Sequence, residues 1–262
     1  MLILLPPSET KTRPDTSRGD GAAGLSALLG LDAARATMRR AVQRTAAHPE
    51  GATMLQVPAS APELVERMAQ LEHEPVGAPL EVYSGVLYDQ LDPAVVSAGD
   101  RAGDPRVLIQ SALFGLVDAA ADRIPAYRLS AGSTVSRLGK AGSWWAPHLK
   151  PVAAELLQEQ AQSSSPLVID CRSGSYRSMM RLRSTEQVRV LEVAPVKERE
   201  GRRTVVSHDA KRYRGLVTRA LLAAPALPAT AQDLVPLLQT ALGSGLEVEL
   251  DGDRLVIVDR VS

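Results

Sequence analysis

The tightest constraint on this chain comes from apolar runs that are too short to be helices. Leu2–Leu5 is unbroken and ends at Pro6-Pro7, Val107–Leu113 is nearly continuous, and Pro166–Asp170 repeats the pattern. Runs of about 4–8 residues bounded by turn formers read as buried strands, whereas helices need about 10–12. Val188–Val193 alternates apolar and polar residues and reads as a further strand, with Thr204–Val206 as its partner. Gly245–Leu250 and Arg254–Asp259 flank Asp251-Gly252-Asp253, a hairpin signal because Asp and Gly tolerate the turn's backbone angles.

Between these strands the period changes. Apolar residues recur at helical spacing over Leu31–Ala47 and Pro147–Gln162. Ser60-Ala61-Pro62-Glu63 spells a capping box that opens a helix towards Leu71. Ser207 is placed to cap a helix running to Ala223, and Thr230-Ala231-Gln232-Asp233 opens another. A polar turn and a short helix follow Asp170, and Ser8–Gly24, rich in Gly, Pro and Asp, reads as a loop. Mixed strands and helices give an α/β or α+β class. The 262 residues are expected to form one compact domain, residues 1–262, with a mixed central sheet and surrounding helices.

The charge balance excludes some functions. With 30 Lys and Arg against 30 Asp and Glu the chain is formally neutral, so it is not a wholly basic nucleic-acid coat. The balance is uneven, however. From Arg172 to Arg219 there are 13 Lys/Arg and five Asp/Glu, a local +8 that the remainder offsets with −8. That segment reads either as solvated element faces or as a basic surface turned towards an acidic partner. The one cysteine, Cys171, precludes an internal disulfide and fits a reducing compartment. Met1–Leu5 lacks the basic start and the length of a signal peptide, and no stretch approaches the ~20 apolar residues of a membrane span. A cytoplasmic setting with no membrane partner is therefore expected.

Several strings suggest chemistry. Gly19-Asp20-Gly21-Ala22-Ala23-Gly24 spells a dinucleotide fingerprint, but such glycines must directly follow a strand, and the nearest ends at Leu5. A loop is the better reading. Ser8-Glu9-Thr10-Lys11 has the Ser-x-x-Lys spacing of some acyl enzymes without their partner motifs, so that reading is rejected. The same residues, just past a strand, suit an anion held by backbone N–H groups and an ammonium. Cys171-Arg172-Ser173-Gly174-Ser175-Tyr176-Arg177-Ser178 has a Cys-x5-Arg spacing that resembles the phosphate loop of cysteine-dependent phosphatases and, in part, the rhodanese loop. There a helix N-terminus and Arg177 would lower the thiol pKa. Asp170, where a His is usual, opposes a thiolate, and the alternative is a small buried cysteine. His48, His73, His148 and His208 form no metal-ligand spacing, so no metal or other cofactor is expected. Lys211, Arg214 and Thr218 fall at helical spacing opposite Leu216, Val217, Ala220 and Leu221, either a basic binding face or an ordinary surface helix.

Taken in order along the chain, further strings resemble one family. Met1-Leu2-Ile3-Leu4-Leu5-Pro6-Pro7-Ser8-Glu9-Thr10-Lys11-Thr12 is similar to the opening of the YaaA family of bacterial peroxide-stress proteins, and Val82-Tyr83-Ser84-Gly85-Val86-Leu87 resembles its Val-Tyr-Thr-Gly-Leu segment. Ser111-Ala112-Leu113-Phe114-Gly115-Leu116-Val117, then Asp122 and Pro125-Ala126-Tyr127-Arg128-Leu129, is similar to its longest motif. Trp144-Trp145 matches an aromatic pair, Ser173 and Tyr176 follow a strand as they do there, and Lys211-Arg212-Tyr213-Arg214-Gly215-Leu216 with Arg219 resembles its Lys-x-x-Arg-Gly-Leu helix. The resemblance spans residue 1 to about 222. It implies a compact α/β fold, a cytoplasmic role in limiting peroxide damage, low free iron, and binding of double-stranded or branched DNA, partly through a helix-hairpin-helix element for which Tyr83-Ser84-Gly85 is the candidate.

The resulting expectation is a peroxide-stress protein that binds DNA or a phosphorylated small molecule. Lys11, Arg128, Lys211 and Arg214 would supply positive charge, and Ser8, Thr10, Ser173 and Ser175 short hydrogen bonds. Tyr83, Tyr127 and Tyr176 would position or stack on a base. The alternative is a cysteine-dependent phosphatase or sulfurtransferase-like enzyme using Cys171 and Arg177.

Overall fold

The computed structural model describes residues 1–15, 24–25, 30–91, 105–206 and 209–260. The Gly19–Gly24 string, apart from Gly24, lies outside the described residues, as do Ser207 and His208.

A mixed eight-stranded sheet forms the centre. Strands β1 (Leu2–Leu5), β3 (Arg106–Ser111), β8 (Leu167–Asp170), β9 (Arg189–Arg199) and β12 (Arg254–Arg260) run parallel. Strands β4 (Gly115–Asp118), β10 (Arg202–Val205) and β11 (Leu246–Asp251) run antiparallel to their neighbours. The order is β11-β12-β9-β8-β1-β3-β4, with β10 on β9. Every residue of β1 and β8 is buried, which explains why both read as unbroken apolar runs rather than alternating ones. The C-terminal hairpin forms as its turn residues require, with Leu250 opposite Leu255 and Asp251 opposite Arg254.

Helices cover the sheet: α1 (Asp32–Ala46), α2 (Gly51–Leu55), α3 (Glu63–Ala69), α4 (Pro79–Val82), α5 (Ala141–Ala161), α6 (Gly174–Met179), α7 (Ala210–Leu222) and α8 (Ala231–Leu242). Among the described residues no helix is long and apolar enough to cross a membrane. Two-stranded pieces lie outside the main sheet, β2 (Val76–Gly77) with β5 (Ile124–Pro125) and β6 (Thr134–Val135) with β7 (Gly139–Lys140).

Three local expectations are corrected. The helix expected to start at Pro147 begins six residues earlier, at Ala141, and contains Pro147 and Pro151 in its interior. Both prolines are exposed, so water can reach the carbonyls they leave unpaired, while Trp145, Leu149, Val152 and Leu156 bury the opposite face. The capping box at Ser60–Glu63 does not form: Pro62 occupies the cap position of α3 without a side-chain bond. The helix expected from Ser207 is α7, with Asp209 at its cap and no side-chain cap bond. Thr230, by contrast, caps α8 by accepting from the Asp233 N–H at 3.2 Å.

Chain order marks one end of the sheet as the candidate for a site. From β1 the chain adds β3 on one side and later β8 on the other, so the direction of winding reverses at β1. Ligands of open α/β sheets bind beyond the C-terminal ends of the strands at such a reversal. The segments leaving β1, β3 and β8 there are Pro6–Lys11, Ser111–Phe114 and Cys171–Ser173.

Candidate functional site

Backbone pairing brings the first two components together. The chain leaving β1 forms an antiparallel bridge between Lys11 and Tyr83, and the Thr12 N–H donates to the Val82 carbonyl at 2.8 Å. Ser8 locks this arrangement from below. Its hydroxyl donates to the Thr10 carbonyl and accepts from the Ser84 N–H at 3.2 Å, while the Lys11 Nζ donates to the Ser8 carbonyl at 2.7 Å. The Ser-x-x-Lys spacing therefore ends on a backbone carbonyl, not on a serine nucleophile.

Tyr127 arrives from β5. Its hydroxyl lies 2.8 Å from that of Tyr83 and 2.7 Å from Ser111 Oγ at the end of β3. Ser111 Oγ also accepts the N–H groups of Leu113, at 3.2 Å, and Phe114, at 3.0 Å. Tyr88 stacks on Tyr83 with ring centroids 5.4 Å apart and donates its hydroxyl to the Pro6 carbonyl at 2.7 Å. Phe114 meets Tyr127 edge to face at 5.7 Å. The turn that presents Ser111 is held from behind. Gly115 adopts φ +76, a conformation glycine accepts without strain, and a Cβ there would lie 2.8 Å from the Trp145 ring. Trp145 Nε1 donates to the Ala112 carbonyl at 2.7 Å, and buried Arg35 of α1 donates to the carbonyls of Phe114 and Leu116.

Electrostatics distinguish Lys11. Its Nζ lies 4.1 Å from the centroid of the Tyr127 ring and 5.2 Å from that of Tyr83. Desolvation, then the charge of Arg128, lowers its pKa to about 7, with Glu9 opposing. Arg128 is held by backbone carbonyls, donating to Gln56 at 3.2 Å and Glu9 at 3.3 Å, and its guanidinium lies 3.7 Å from the exposed Glu9 carboxylate. Burial raises the phenols of Tyr83, Tyr88 and Tyr127 well above their ordinary range and pushes Tyr176 up to about 12. Tyr176 is electrostatically coupled to Glu9 and Arg128, so four of the five tyrosines belong to this cluster. Their rings are buried, at 1% exposed for Tyr83, 3% for Tyr127 and 9% for Tyr176, and offer no free face to a stacked base.

The other expected residues form a second group, at the end of β8. Asp170 and Arg172 make a buried bidentate pair at 2.8 and 2.7 Å, and Arg172 also donates to Gln110 Oε1 and the Met180 carbonyl. Cys171 between them is fully buried, its Sγ 3.8 Å from Thr218 Oγ1, and burial pushes its thiol up to about 12. Arg177 pairs with Glu192 at 2.7 Å and donates to the Arg172 carbonyl, so it is not aimed at the thiol. This corrects the Cys-x5-Arg expectation: desolvation outweighs what would be needed to form a thiolate. Ser173 and Ser175 lie 3.2 Å apart, Oγ to Oγ, at the start of α6. Arg214 has Cys171, Arg177, Glu192 and Asp170 as electrostatic neighbours, whereas those of Lys11 are Arg128 and Glu9. Lys211 is exposed on α7. Ser8, Thr10, Lys11, Tyr83, Tyr127, Arg128 and Tyr176 thus gather in one cluster, while Ser173, Ser175, Lys211 and Arg214 lie on the neighbouring α6–α7 side.

Gly215 lets these two groups abut. A Cβ there would lie 2.4 Å from the Leu87 carbonyl oxygen, so α7 packs directly on the turn that follows Tyr83. An apolar cavity of about 530 Å³ lies elsewhere, between the C-terminal halves of α7 and α8, with Arg219 its only charged lining residue. It offers little chemistry, and the strand-end cluster is the better candidate site. Sequence reasoning missed Ser111 and Tyr88 as members of the cluster. The available signal was scarcity, since a chain with five tyrosines has few to spend on solvent-facing roles.

Comparison with known proteins supplies the last observation. The family described as "Peroxide stress protein YaaA" matches residues 1–234. A UPF0246 protein of Corynebacterium glutamicum strain R is 36% identical over 249 residues, covering 95% of each chain. A UPF0246 protein of Streptomyces coelicolor is 36% identical over 262 residues, covering 96% of this chain and 93% of its own, and one of Corynebacterium efficiens is 34% identical over 259 residues, covering 97% of each.

Proposed function

The chain belongs to the YaaA peroxide-stress family, and from that premise we propose that it binds phosphate-bearing ligands, with the DNA backbone first among them. One observation supports this most. Lys11 and Arg128 are brought close enough for the charge of one to lower the pKa of the other, and among the described residues no carboxylate lies within ion-pair distance of Lys11. Two neighbouring, partly desolvated cations destabilise each other, and a bound polyanion offsets that repulsion. Backbone carbonyls of Gln56 and Glu9 hold Arg128 in place before any ligand arrives.

The α6–α7 side extends the positive surface. Arg181, Arg183, Lys211 and Arg212 are exposed, and none takes part in an ion pair among the described residues. Such side chains suit backbone phosphates, which position a duplex without reading its sequence. Because the tyrosines are buried, the reading rests on charge rather than on base stacking. During peroxide stress, in the cytoplasm, occupancy of DNA phosphates would shield nucleic acid from iron-dependent damage. A phosphorylated small molecule at the strand ends is the second reading, favoured by the position of Lys11 and Arg128 at the winding reversal of the sheet.

The test is binding of a labelled duplex and a four-way junction across a salt series. Affinity is expected to fall steeply with salt, and Lys211→Glu to weaken binding and flatten the slope by about one phosphate contact. Lys11→Gln separates the readings, because it abolishes small-phosphate binding while only weakening DNA. Affinity indifferent to both salt and charge reversal refutes the proposal.

A further inference from the structure

Helices α7 and α8 each carry more apolar surface than the sheet takes up. Tyr213, Val217 and Leu221 of α7 are buried in the core, as are Leu234 and Leu238 of α8. Leu216, Ala220 and Ala223 recur at helical spacing along another side of α7, and Leu237 and Ala241 do so on α8. These second stripes line the cavity of about 530 Å³ between the C-terminal halves of the two helices. Five of its eleven lining residues are alanine, and side chains that short do not fill the space between the helices.

A single full charge lines this space. Arg219, in the last turn of α7, makes no ion pair and no side-chain hydrogen bond among the described residues. The other polar side chain of the lining is Thr240, whose hydroxyl donates its proton to the Pro236 carbonyl at 2.9 Å. An anion entering the cavity therefore meets one side-chain donor, a guanidinium whose fork fits a carboxylate through two parallel bonds. One positive charge balances one negative charge, which favours a carboxylate over a phosphate dianion. The carbonyls at the helix ends oppose an anion, but theirs are partial charges, and two of those on α7 already accept the N–H groups of Ala223 and Ala224.

From this pairing of an apolar cavity with one unpaired guanidinium, we infer that the space between α7 and α8 binds an aliphatic carboxylate, a fatty acid of medium chain length. The alkyl chain lies along the alanine and leucine stripes, and the carboxylate meets Arg219. At about 30 Å³ for a water-sized group, a cavity of about 530 Å³ takes a chain of roughly 8–12 carbons without close packing. Binding is reversible and breaks no bond. Each methylene withdrawn from water tightens it about threefold, and the charge pair sets the preference for an acid over an alcohol. The site lies apart from Lys11 and Arg128 and does not rest on the phosphate-binding reading.

The test is calorimetric titration of the full chain with octanoate, decanoate and dodecanoate, each below its micellar concentration, beside decanol and decyltrimethylammonium. Affinity is expected to rise about threefold per methylene along the acids, with decanol roughly tenfold weaker than decanoate. Arg219→Gln should bring decanoate down to the level of decanol and leave decanol unchanged. The Ala220→Leu, Ala241→Leu double variant fills the space and should abolish binding of both, with its fold checked by circular dichroism. Should that variant fail to fold, Arg219→Gln still decides. Decanoate bound no tighter than decanol, or more weakly than decyltrimethylammonium, overturns the inference. So does decanoate affinity that Arg219→Gln leaves unmoved, because the acid is then held elsewhere.

Discussion

Replacing Gly215 with alanine sets two effects against each other, and the structure decides between them. Alanine in a helix interior is favoured over glycine by about 1 kcal/mol, so on propensity alone the change would stabilise α7. The added Cβ would lie 2.4 Å from the Leu87 carbonyl oxygen and 2.8 Å from Cβ and Cγ of Gln90. Gln90 can turn aside, but a backbone oxygen cannot, and normal contact requires roughly 1 Å of separation between α7 and the turn. Overpacking of this kind costs about 1–3 kcal/mol, and a backbone obstacle places it in the upper half of that range. The net expectation is a loss of about 1–2 kcal/mol, or a fall of about 2–8 °C in Tm. Urea and thermal unfolding followed by circular dichroism measure it. Gly174→Ala is the control, since it opens α6 and a Cβ there meets nothing within 4 Å, so that change should be neutral or slightly stabilising. If Gly215→Ala stabilises the protein as much as Gly174→Ala does, α7 does not pack on the turn after Tyr83, and the abutment of the two residue groups fails with it.

Ser111→Ala should destabilise the fold by about 2–4 kcal/mol in urea titrations, because two buried N–H groups lose their acceptor and the phenol loses its donor. Arg172→Met leaves the Asp170 carboxylate buried and unpaired and should cost about 3–5 kcal/mol, with a smaller loss when Asp170→Leu is added. Lys11 titrates near 7 in the folded chain and at its usual 10.5 when unfolded, so between those values the unfolded state binds more protons and this contribution to stability rises with pH. Lys11→Met should therefore flatten the rise in urea stability from pH 7 to 8.5, below the range in which the raised Cys171 and tyrosine groups act in the opposite sense. Cys171, with its thiol pushed up to about 12 and no solvent exposure, should react with an aromatic disulfide reagent at pH 8 only as the protein unfolds.

Local chemistry was legible from the residues alone. Leu2–Leu5 and Leu167–Asp170 are strands because apolar side chains on both faces leave no solvated side, and Thr230 caps α8 because its hydroxyl reaches an N–H three residues away. The Asp-Gly turn closes β11 onto β12 for the same reason, that every partner lies within a few residues. Distance in sequence hid the rest. Nothing near Ser111 announces that its hydroxyl will meet Tyr127, or that Tyr127 will meet Tyr83, 44 residues earlier. The Cys171 string read as a phosphate loop because spacing says nothing of burial, which Thr218 and α7 impose from more than forty residues away. Pro147 read as a helix start because the helical spacing of apolar residues was followed only from there, yet exposure of that face let the helix run through the proline. Short-range hydrogen bonding and side-chain polarity are properties of neighbours along the chain. Desolvation, and with it the pKa of Lys11 and the fate of Cys171, is a property of neighbours in space, which exist only once the sheet has been assembled around β1.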